Sequence, residues 1–190
     1  MTKLKKTRAI KFLAMAAMVV VAGALPAGCA TTKPVYSINC GADKIYVDGS
    51  GKTWLADQEK TDTVDWGVIG GETVLRETVE IPGTRAPKVY LNECYSMAGY
   101  LFKLPPGKYT VRLHFAETYD GVTAAGERVF DISINGKVAL KDFDVFKAAG
   151  GAFKPVIKEI KGIEVSDKLA IDFTTNIQNP EINGIEILAE

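Results

Sequence analysis

Short alternating runs of apolar and polar residues, separated by Gly, Pro, Asn and Asp, constrain the fold of this chain most strongly. The clearest run is 108–117, where Tyr109, Val111, Leu113 and Phe115 alternate with polar or small residues. A period of two is typical of a half-buried β-strand, and helical periodicity is almost absent from the rest of the sequence. The chain is therefore predicted to be all-β.

A second signal is the dipeptide Asn135-Gly136, which separates the alternating runs 128–134 and 137–143. Both residues tolerate the positive φ of a type I′ turn, so the dipeptide predicts a β-hairpin. Further strands are predicted at 35–40, 74–79, 99–104, 153–160, 168–174 and 184–188. About ten short strands without helices between them predict a two-sheet β-sandwich.

The sequence contains few of the parts that catalysis needs. His114 is the single histidine, and we expect it at the strand surface because it lies on the face opposite Val111 and Leu113. With one histidine, the sequence does not supply the set of residues that a zinc site or a Ser-His-Asp triad needs. Carboxylates are numerous, but a glycosidase needs two of them across one cleft, and the sequence does not show such a pair. We expect no enzyme activity, no catalytic residue, no metal and no cofactor.

The first 28 residues have the pattern of a bacterial secretory signal peptide. They carry five basic residues and no acid, and their apolar run from Leu13 to Leu25 spans 13 residues. A transmembrane helix needs roughly 20 apolar residues, so a cleaved signal is the better interpretation.

Gly28-Cys29 after the apolar run resembles a lipobox, in which the cysteine is lipidated and becomes the new N-terminus. The alternative is simple secretion, which leaves Cys29 as a thiol. The predicted organisation is a signal peptide at 1–28, a tether at 29–34 and a folded domain at 35–190. The domain is predicted to be exported and held by lipid on Cys29 at a membrane of the bacterial cell envelope, on the periplasmic side or at the surface.

Charge and cysteine content narrow the range of partners. Removal of the signal peptide leaves 18 basic and 23 acidic residues, a net charge of −5, which argues against nucleic acid as a partner. Cys40 and Cys94 are then the remaining thiols besides Cys29. An oxidising compartment allows one disulfide between them, and two buried free thiols are the alternative.

Several segments between Ser37 and Leu188 have an informative order and spacing. They are Ile38-Asn39-Cys40-Gly41, Asp65-Trp66-Gly67, Val89-Tyr90 with Tyr95, the run 109–119, Gly126 with Val129-Phe130-Asp131-Ile132 and Ile134-Asn135-Gly136, the run 141–145, and Asn179-Pro180 with Ile185. Together they resemble the malectin domain. The resemblance implies a jelly-roll-like β-sandwich without catalytic residues, which binds glucose-containing oligosaccharides in a cleft of loop aromatics and one acid.

The resemblance also places the carbohydrate-binding residues. The rings would stack on a sugar and the polar side chains would bind its hydroxyl groups. Four positions depart from the family: Trp66 replaces the more usual tyrosine, Cys94 replaces an arginine, Asp120 replaces a ring and Gln178 replaces an acid. Glucose specificity therefore does not transfer with the fold. The alternative is a protein-interaction or envelope-scaffold module without a sugar site. The predicted site consists of Trp66, Tyr95, Tyr119, Asp120, Gln178 and Asn179.

Overall fold

Residues 34–190 are described by the computed structural model, with side chains from residue 35 onward. The predicted signal peptide and Cys29 lie outside the described residues, as does the predicted tether apart from Pro34. Among the described residues, no helix is long and apolar enough to cross a membrane. This part of the chain has a hydrophobic core of its own.

In the described part of the chain, fourteen strands form three sheets. The strands are β1 (Pro34–Asn39), β2 (Tyr46–Val47), β3 (Thr53–Ala56), β4 (Trp66–Ile69), β5 (Glu72–Leu75), β6 (Asn92–Tyr95), β7 (Gly99–Lys103), β8 (Gly107–Phe115), β9 (Val129–Ile134), β10 (Lys137–Phe143), β11 (Val156–Val165), β12 (Lys168–Ile177), β13 (Glu181–Ile182) and β14 (Gly184–Ala189). A 3₁₀ turn lies at Pro87–Val89 and one short helix, α1, at Val145–Ala149.

Two of the sheets form the sandwich that the sequence predicts. The larger has the strand order β11-β8-β14-β1-β3-β2, and the second has the order β10-β9-β12-β7-β4. Val111 and Leu113 of β8 belong to the same core cluster as Phe102 of β7 and Phe130 of β9, and all four are fully buried. The prediction of an all-β sandwich is confirmed.

The predicted hairpin is confirmed as well. Lys137 pairs with Ile134 directly across the turn. Asn135 and Gly136 have φ values of 49° and 74°, which is the left-handed backbone that the type I′ turn requires. A local signal in two residues therefore sets the register of β9 and β10.

A small third sheet, β13-β6-β5, was not predicted. Of its members, only β5 overlaps a predicted strand, at 74–79, and β5 ends at Leu75. The other two strands have four and two residues and pair with partners distant in the sequence. Strands β2, β3 and β4 were also missed, because they have only two, four and four residues. The third sheet forms one wall of the candidate site described below.

Cys40 and Cys94 are free and buried in the structure, which corrects the expected disulfide. Both thiols lie beside Tyr100, whose hydroxyl donates to Asp57 Oδ2 over 2.7 Å. Burial raises the pKa of Cys94 to about 12 and that of Cys40 well above its ordinary value. Because thiol–disulfide chemistry needs a thiolate, burial disfavours bridge formation.

A second hydrophobic cluster covers the other face of β8. Trp54 and Tyr90 pack there, with ring centroids 5.1 and 5.9 Å from the ring of His114. His114 is 4% exposed, so the expectation that it lies at the strand surface is wrong. Its position on the strand was predicted correctly, but β3 and the end of the 3₁₀ turn cover that face.

Both ring nitrogens of His114 have partners. Nδ1 lies 2.9 Å from the Tyr90 hydroxyl and Nε2 lies 2.9 Å from Glu186 Oε1, while Lys52 Nζ donates to Glu186 Oε2 over 2.7 Å. Burial alone would raise the pKa of Glu186, but the hydrogen bonds from His114 and Lys52 outweigh it and lower that pKa to about 2. We refer to Lys52, Tyr90, His114 and Glu186 as the closed cluster, because each of these side chains finds its partner within it.

Candidate functional site

One pocket brings together several parts of the chain that are distant in sequence. Its cavity has a volume of about 330 Å³. The residues come from β5 and β6, from the segments that follow β8 and precede β9, and from the connection between β12 and β13. The lining residues are Val74, Arg76, Glu93, Tyr95, Tyr119, Arg128, Gln178 and Asn179.

Four of the six predicted binding residues line this pocket, and two do not. Tyr95, Tyr119, Gln178 and Asn179 converge there. Asp120 is exposed and does not line the pocket.

Trp66 is a core residue, which corrects its predicted place in the site. It is 8% exposed at the start of β4, stacks on Phe102 at 6.1 Å and lies 5.9 Å from Tyr36. The sequence places Trp66 in a loop because β4 is only four residues long. Its pairing with β7, more than thirty residues later, draws the ring into the core.

Tyr119 presents the most accessible ring in the pocket. It is 38% exposed, and its ring lies 5.7 Å from the guanidinium carbon of Arg76 and 6.0 Å from that of Arg128. These are cation–π distances, so both arginines favour the observed position of the ring. Gly121 leaves the room that the ring occupies, since a Cβ at that position would overlap the tyrosine.

Arg128 fixes two of the segments that border the pocket. Its Nε donates to Glu117 Oε2 over 2.8 Å and its Nη1 donates to the carbonyl of Asn179 over 2.5 Å. Glu117 is fully buried, and its other oxygen accepts from the backbone N–H of Tyr119 at 3.1 Å. Burial raises the pKa of Glu117, although Arg128 opposes the shift. This ion pair therefore holds the tyrosine and the 178–179 connection in one arrangement.

The 178–179 connection has a strained turn. The backbone of Gln178 has a φ angle of 60°, which residues other than glycine and asparagine rarely adopt. Its side-chain oxygen accepts from the backbone N–H of Asn179 at 2.9 Å. The turn places both amide side chains at the pocket, where they could bind hydroxyl groups.

Next to the pocket lies a group of carboxyl side chains that are almost inaccessible to solvent. Glu93 is 2% exposed and accepts from the Thr118 hydroxyl at 3.1 Å. Glu181 is fully buried, and neither of its oxygens has a hydrogen-bond partner. Burial, together with the charges of Glu93 and Glu117, raises the pKa of Glu181 well above its ordinary value and favours the neutral acid. We refer to Arg76, Glu93, Glu117, Arg128 and Glu181 as the pocket cluster.

Sequence reasoning missed Val74, Arg76, Glu93 and Arg128. A usable signal existed, because Val74 and Arg76 are two residues apart, as are Glu93 and Tyr95, and alternate residues of a strand share a face. Within residues 34–190, no group of three or more His, Cys, Asp or Glu side chains is arranged to hold a metal ion. The arrangement offers one accessible ring, two amides and two guanidinium groups, which suits binding of a polar ligand.

Comparison with known proteins identifies the fold. The model of the Malectin domain family matches residues 34–185, which include every strand that borders the pocket. The chain belongs to the malectin domain family. A probable LRR receptor-like serine/threonine-protein kinase of Arabidopsis thaliana is 29% identical over 177 residues. That match covers 78% of this chain and 17% of the kinase. The chain thus spans about a fifth of the length of the curated relatives it matches.

Solved structures show the same malectin fold in proteins of different kinds. The crystal structure of a Bacteroides uniformis β-glucuronidase has a TM-score of 0.74 and 27% identity, covering 82% of this chain and 18% of that chain. The plant receptor-like kinase FER, in complex with the peptide RALF23 and with LLG2, has a TM-score of 0.68 and 21% identity, covering 82% of this chain and 48% of that chain. Malectin domains of receptor kinases are themselves non-catalytic.

Proposed function

We propose that this malectin domain binds an oligosaccharide in the pocket beside Tyr119. The observation that carries the proposal is the exposed Tyr119 ring, which has two guanidinium groups within 6.0 Å of its centroid and lines the pocket with the amides of Gln178 and Asn179. An exposed ring next to amide groups is the combination that binds the apolar face and the hydroxyl groups of a sugar. Tyr95 supplies a second ring at the pocket.

Two further features complete the proposal. The basic, then apolar, N-terminal segment supports export, and Gly28-Cys29 supports a lipid anchor in a bacterial cell envelope. The protein would then display a glycan-binding domain at a membrane surface. Incorporation of labelled palmitate into the wild-type protein, and its loss in Cys29→Ser, is the expected outcome for the anchor. Equal labelling of both would contradict it.

A binding screen tests the glycan proposal. Residues 30–190 are applied to a glycan array, and the dissociation constant of the strongest hit is measured by calorimetry. We expect Tyr119→Ala to weaken that binding roughly 10-fold or more, because a stacked ring contributes on the order of 1–2 kcal/mol. Tyr46→Ala is the matched control, since Tyr46 also lies beside a cation, 5.7 Å from Lys88 Nζ, but does not line the pocket.

A protein or peptide partner is the second candidate. One observation favours it, namely that the malectin relative FER forms a complex with the peptide RALF23 and with LLG2. A clean absence of binding on the array would make the protein-interaction module the better proposal. Equal loss of binding in Tyr46→Ala and Tyr119→Ala would also remove the pocket as the sugar site.

A further inference from the structure

The two guanidinium groups of the pocket differ in how their hydrogen-bonding capacity is used. Arg128 is 4% exposed and donates to Glu117 through two nitrogens, at 2.8 and 3.4 Å, and to the Asn179 carbonyl through a third. Its charge is matched by a carboxylate in contact with it. Arg128 is therefore committed to holding the fold around the pocket, and it has little capacity left for a ligand.

Arg76 has no such set of partners among residues 34–190. Its side chain is 27% exposed and lines the pocket. Its Nε is buried without a hydrogen-bond partner, and its nearest carboxylate oxygen, Glu93 Oε2, lies 3.8 Å from Nη2. That distance is too long for a hydrogen bond. A guanidinium group has five donors in a fixed planar fork, so the capacity of Arg76 is largely unfilled.

Glu93 forms an ion pair with Arg76 at 3.8 Å, but this pair contains no hydrogen bond. The same Oε2 atom of Glu93 already accepts from the Thr118 hydroxyl, and Glu117 is paired with Arg128. Glu181 is sealed from solvent and does not line the pocket. The domain as a whole is acidic, yet among residues 34–190 the charged group that lines the pocket without a hydrogen bond is the cation of Arg76.

We propose that the ligand of this pocket is an acidic sugar, whose carboxylate pairs with Arg76 while its ring stacks on Tyr119. This inference rests on the proposed function and names the class of glycan. The planar fork of arginine matches a carboxylate in a two-point contact, and such a charge-assisted pair is about twice as strong as a neutral hydrogen bond. Because the guanidinium carbon of Arg76 is 5.7 Å from the Tyr119 ring, a sugar on that ring presents its substituents to Arg76.

The test uses residues 30–190, which include the complete core of the described domain. An array carrying neutral, uronic-acid, sialylated and sulfated oligosaccharides gives the ligand class, and calorimetry gives the affinity of the best uronic acid or sialic acid hit and of its methyl ester. We expect carboxylated sugars to bind best. Methyl esterification should weaken binding roughly 10- to 100-fold, because it removes the charge but keeps the ring.

Variants of the protein test the same contact from the other side. Arg76→Gln should weaken binding by about the same factor as esterification and should make the protein indifferent to esterification. Arg76→Lys should recover part of the affinity, because it keeps the charge without the fork. Arg85→Gln removes the same charge from an exposed position outside the pocket and should leave binding unchanged. Thermal melts confirm that each variant is folded.

The outcomes separate this inference from the proposed function. If neutral sugars bind best and Arg76→Gln leaves their affinity unchanged, the acidic-sugar inference is overturned while the glycan-binding proposal stands. If sulfated sugars bind and carboxylated ones do not, the carboxylate assignment is overturned. Absence of binding to every glycan overturns both.

Discussion

The closed cluster and the pocket cluster are both buried sets of charged side chains, but they differ in how completely their polar atoms are paired. In the closed cluster, His114, Tyr90, Glu186 and Lys52 form one continuous chain of contacts between 2.7 and 2.9 Å. In the pocket cluster, Nε of Arg76 and both oxygens of Glu181 have no partner. Buried polar groups without partners are rare in folded proteins, because each costs about 1–3 kcal/mol.

The difference indicates which region serves stability and which serves binding. Within residues 34–190, His114, Tyr90 and Glu186 do not line the candidate pocket, and their polar atoms pair with one another. The pocket cluster instead lies against an open cavity and includes a guanidinium whose donors are unfilled. A fully paired polar network rigidifies a core, whereas an incompletely paired one beside a cavity is suited to a ligand that completes it.

The largest expected effect on stability comes from the closed cluster. The pKa of Glu186 is about 2 in the folded protein against 4.5 as its ordinary value. Allowing for the partial exposure of Lys52, this difference corresponds to about 2–3 kcal/mol of stability at pH 7. Glu186→Gln should therefore lower the free energy of unfolding by that amount, as measured by urea denaturation.

The direction of the Glu186 pKa shift determines how its contribution to the free energy of unfolding depends on pH. Because the folded pKa is depressed, the contribution is present above pH 4.5 and is lost as the pH falls towards 2. The stabilities of the wild type and Glu186→Gln should approach each other as the pH falls below 4.5 and converge near pH 2. Glu159→Gln is the control, since its carboxylate pairs with Arg112 at the surface and should show a much smaller change at pH 7. A loss that is equal at pH 7 and pH 3 would show that the Glu186 charge is not the cause.

How much of the fold the sequence could predict depends on how far apart the paired residues lie in the chain. Strands β8, β9, β10 and β14 follow from alternation and from the Asn135-Gly136 turn, because those signals lie within a few residues of each other. Strand β11 begins later than predicted, at Val156, since Pro155 precedes it and cannot donate to the ladder. The third sheet has no such local signal, because its pairings join distant parts of the chain.

Site residues were predicted correctly at most positions that the family resemblance fixed. They were not predicted where the packing of the strands determines whether a side chain reaches the pocket. Tyr95, Tyr119, Gln178 and Asn179 line the pocket as expected. Trp66 does not, because the pairing of β4 with β7 buries it.

Charged and ionisable residues on strands were the other source of error. A charged side chain on or beside a strand faces solvent in most proteins. This default hides Glu93 of β6, and also Arg76 and Arg128, which flank β5 and β9, from sequence reasoning. The same default misplaced His114. Only the three-dimensional pairing of these groups distinguishes the closed cluster from the pocket cluster.

The smallest effect on stability comes from Glu181 in the pocket cluster, and it has the opposite sign. The folded pKa of Glu181 is raised, so its favourable contribution is present below pH 4.5 and is lost as the pH rises through the folded pKa. Glu181→Met replaces an unpartnered carboxyl group by an apolar side chain of similar size. We expect it to raise the free energy of unfolding at pH 7 by about 1 kcal/mol.

Glu181→Gln separates the charge from the polarity of this side chain. The amide cannot ionise but still lacks partners, so this variant should lose the decline in stability that begins above pH 4.5, without the full gain of Glu181→Met. Urea denaturation at pH values above 4.5 measures both effects. Destabilisation by both variants at pH 7 would mean that Glu181 is ionised and supported by Arg128, and the pocket cluster would then be as well paired as the closed cluster. Stabilisation by Glu181→Met would instead show that an unpartnered acid beside the pocket lowers the stability of the wild type.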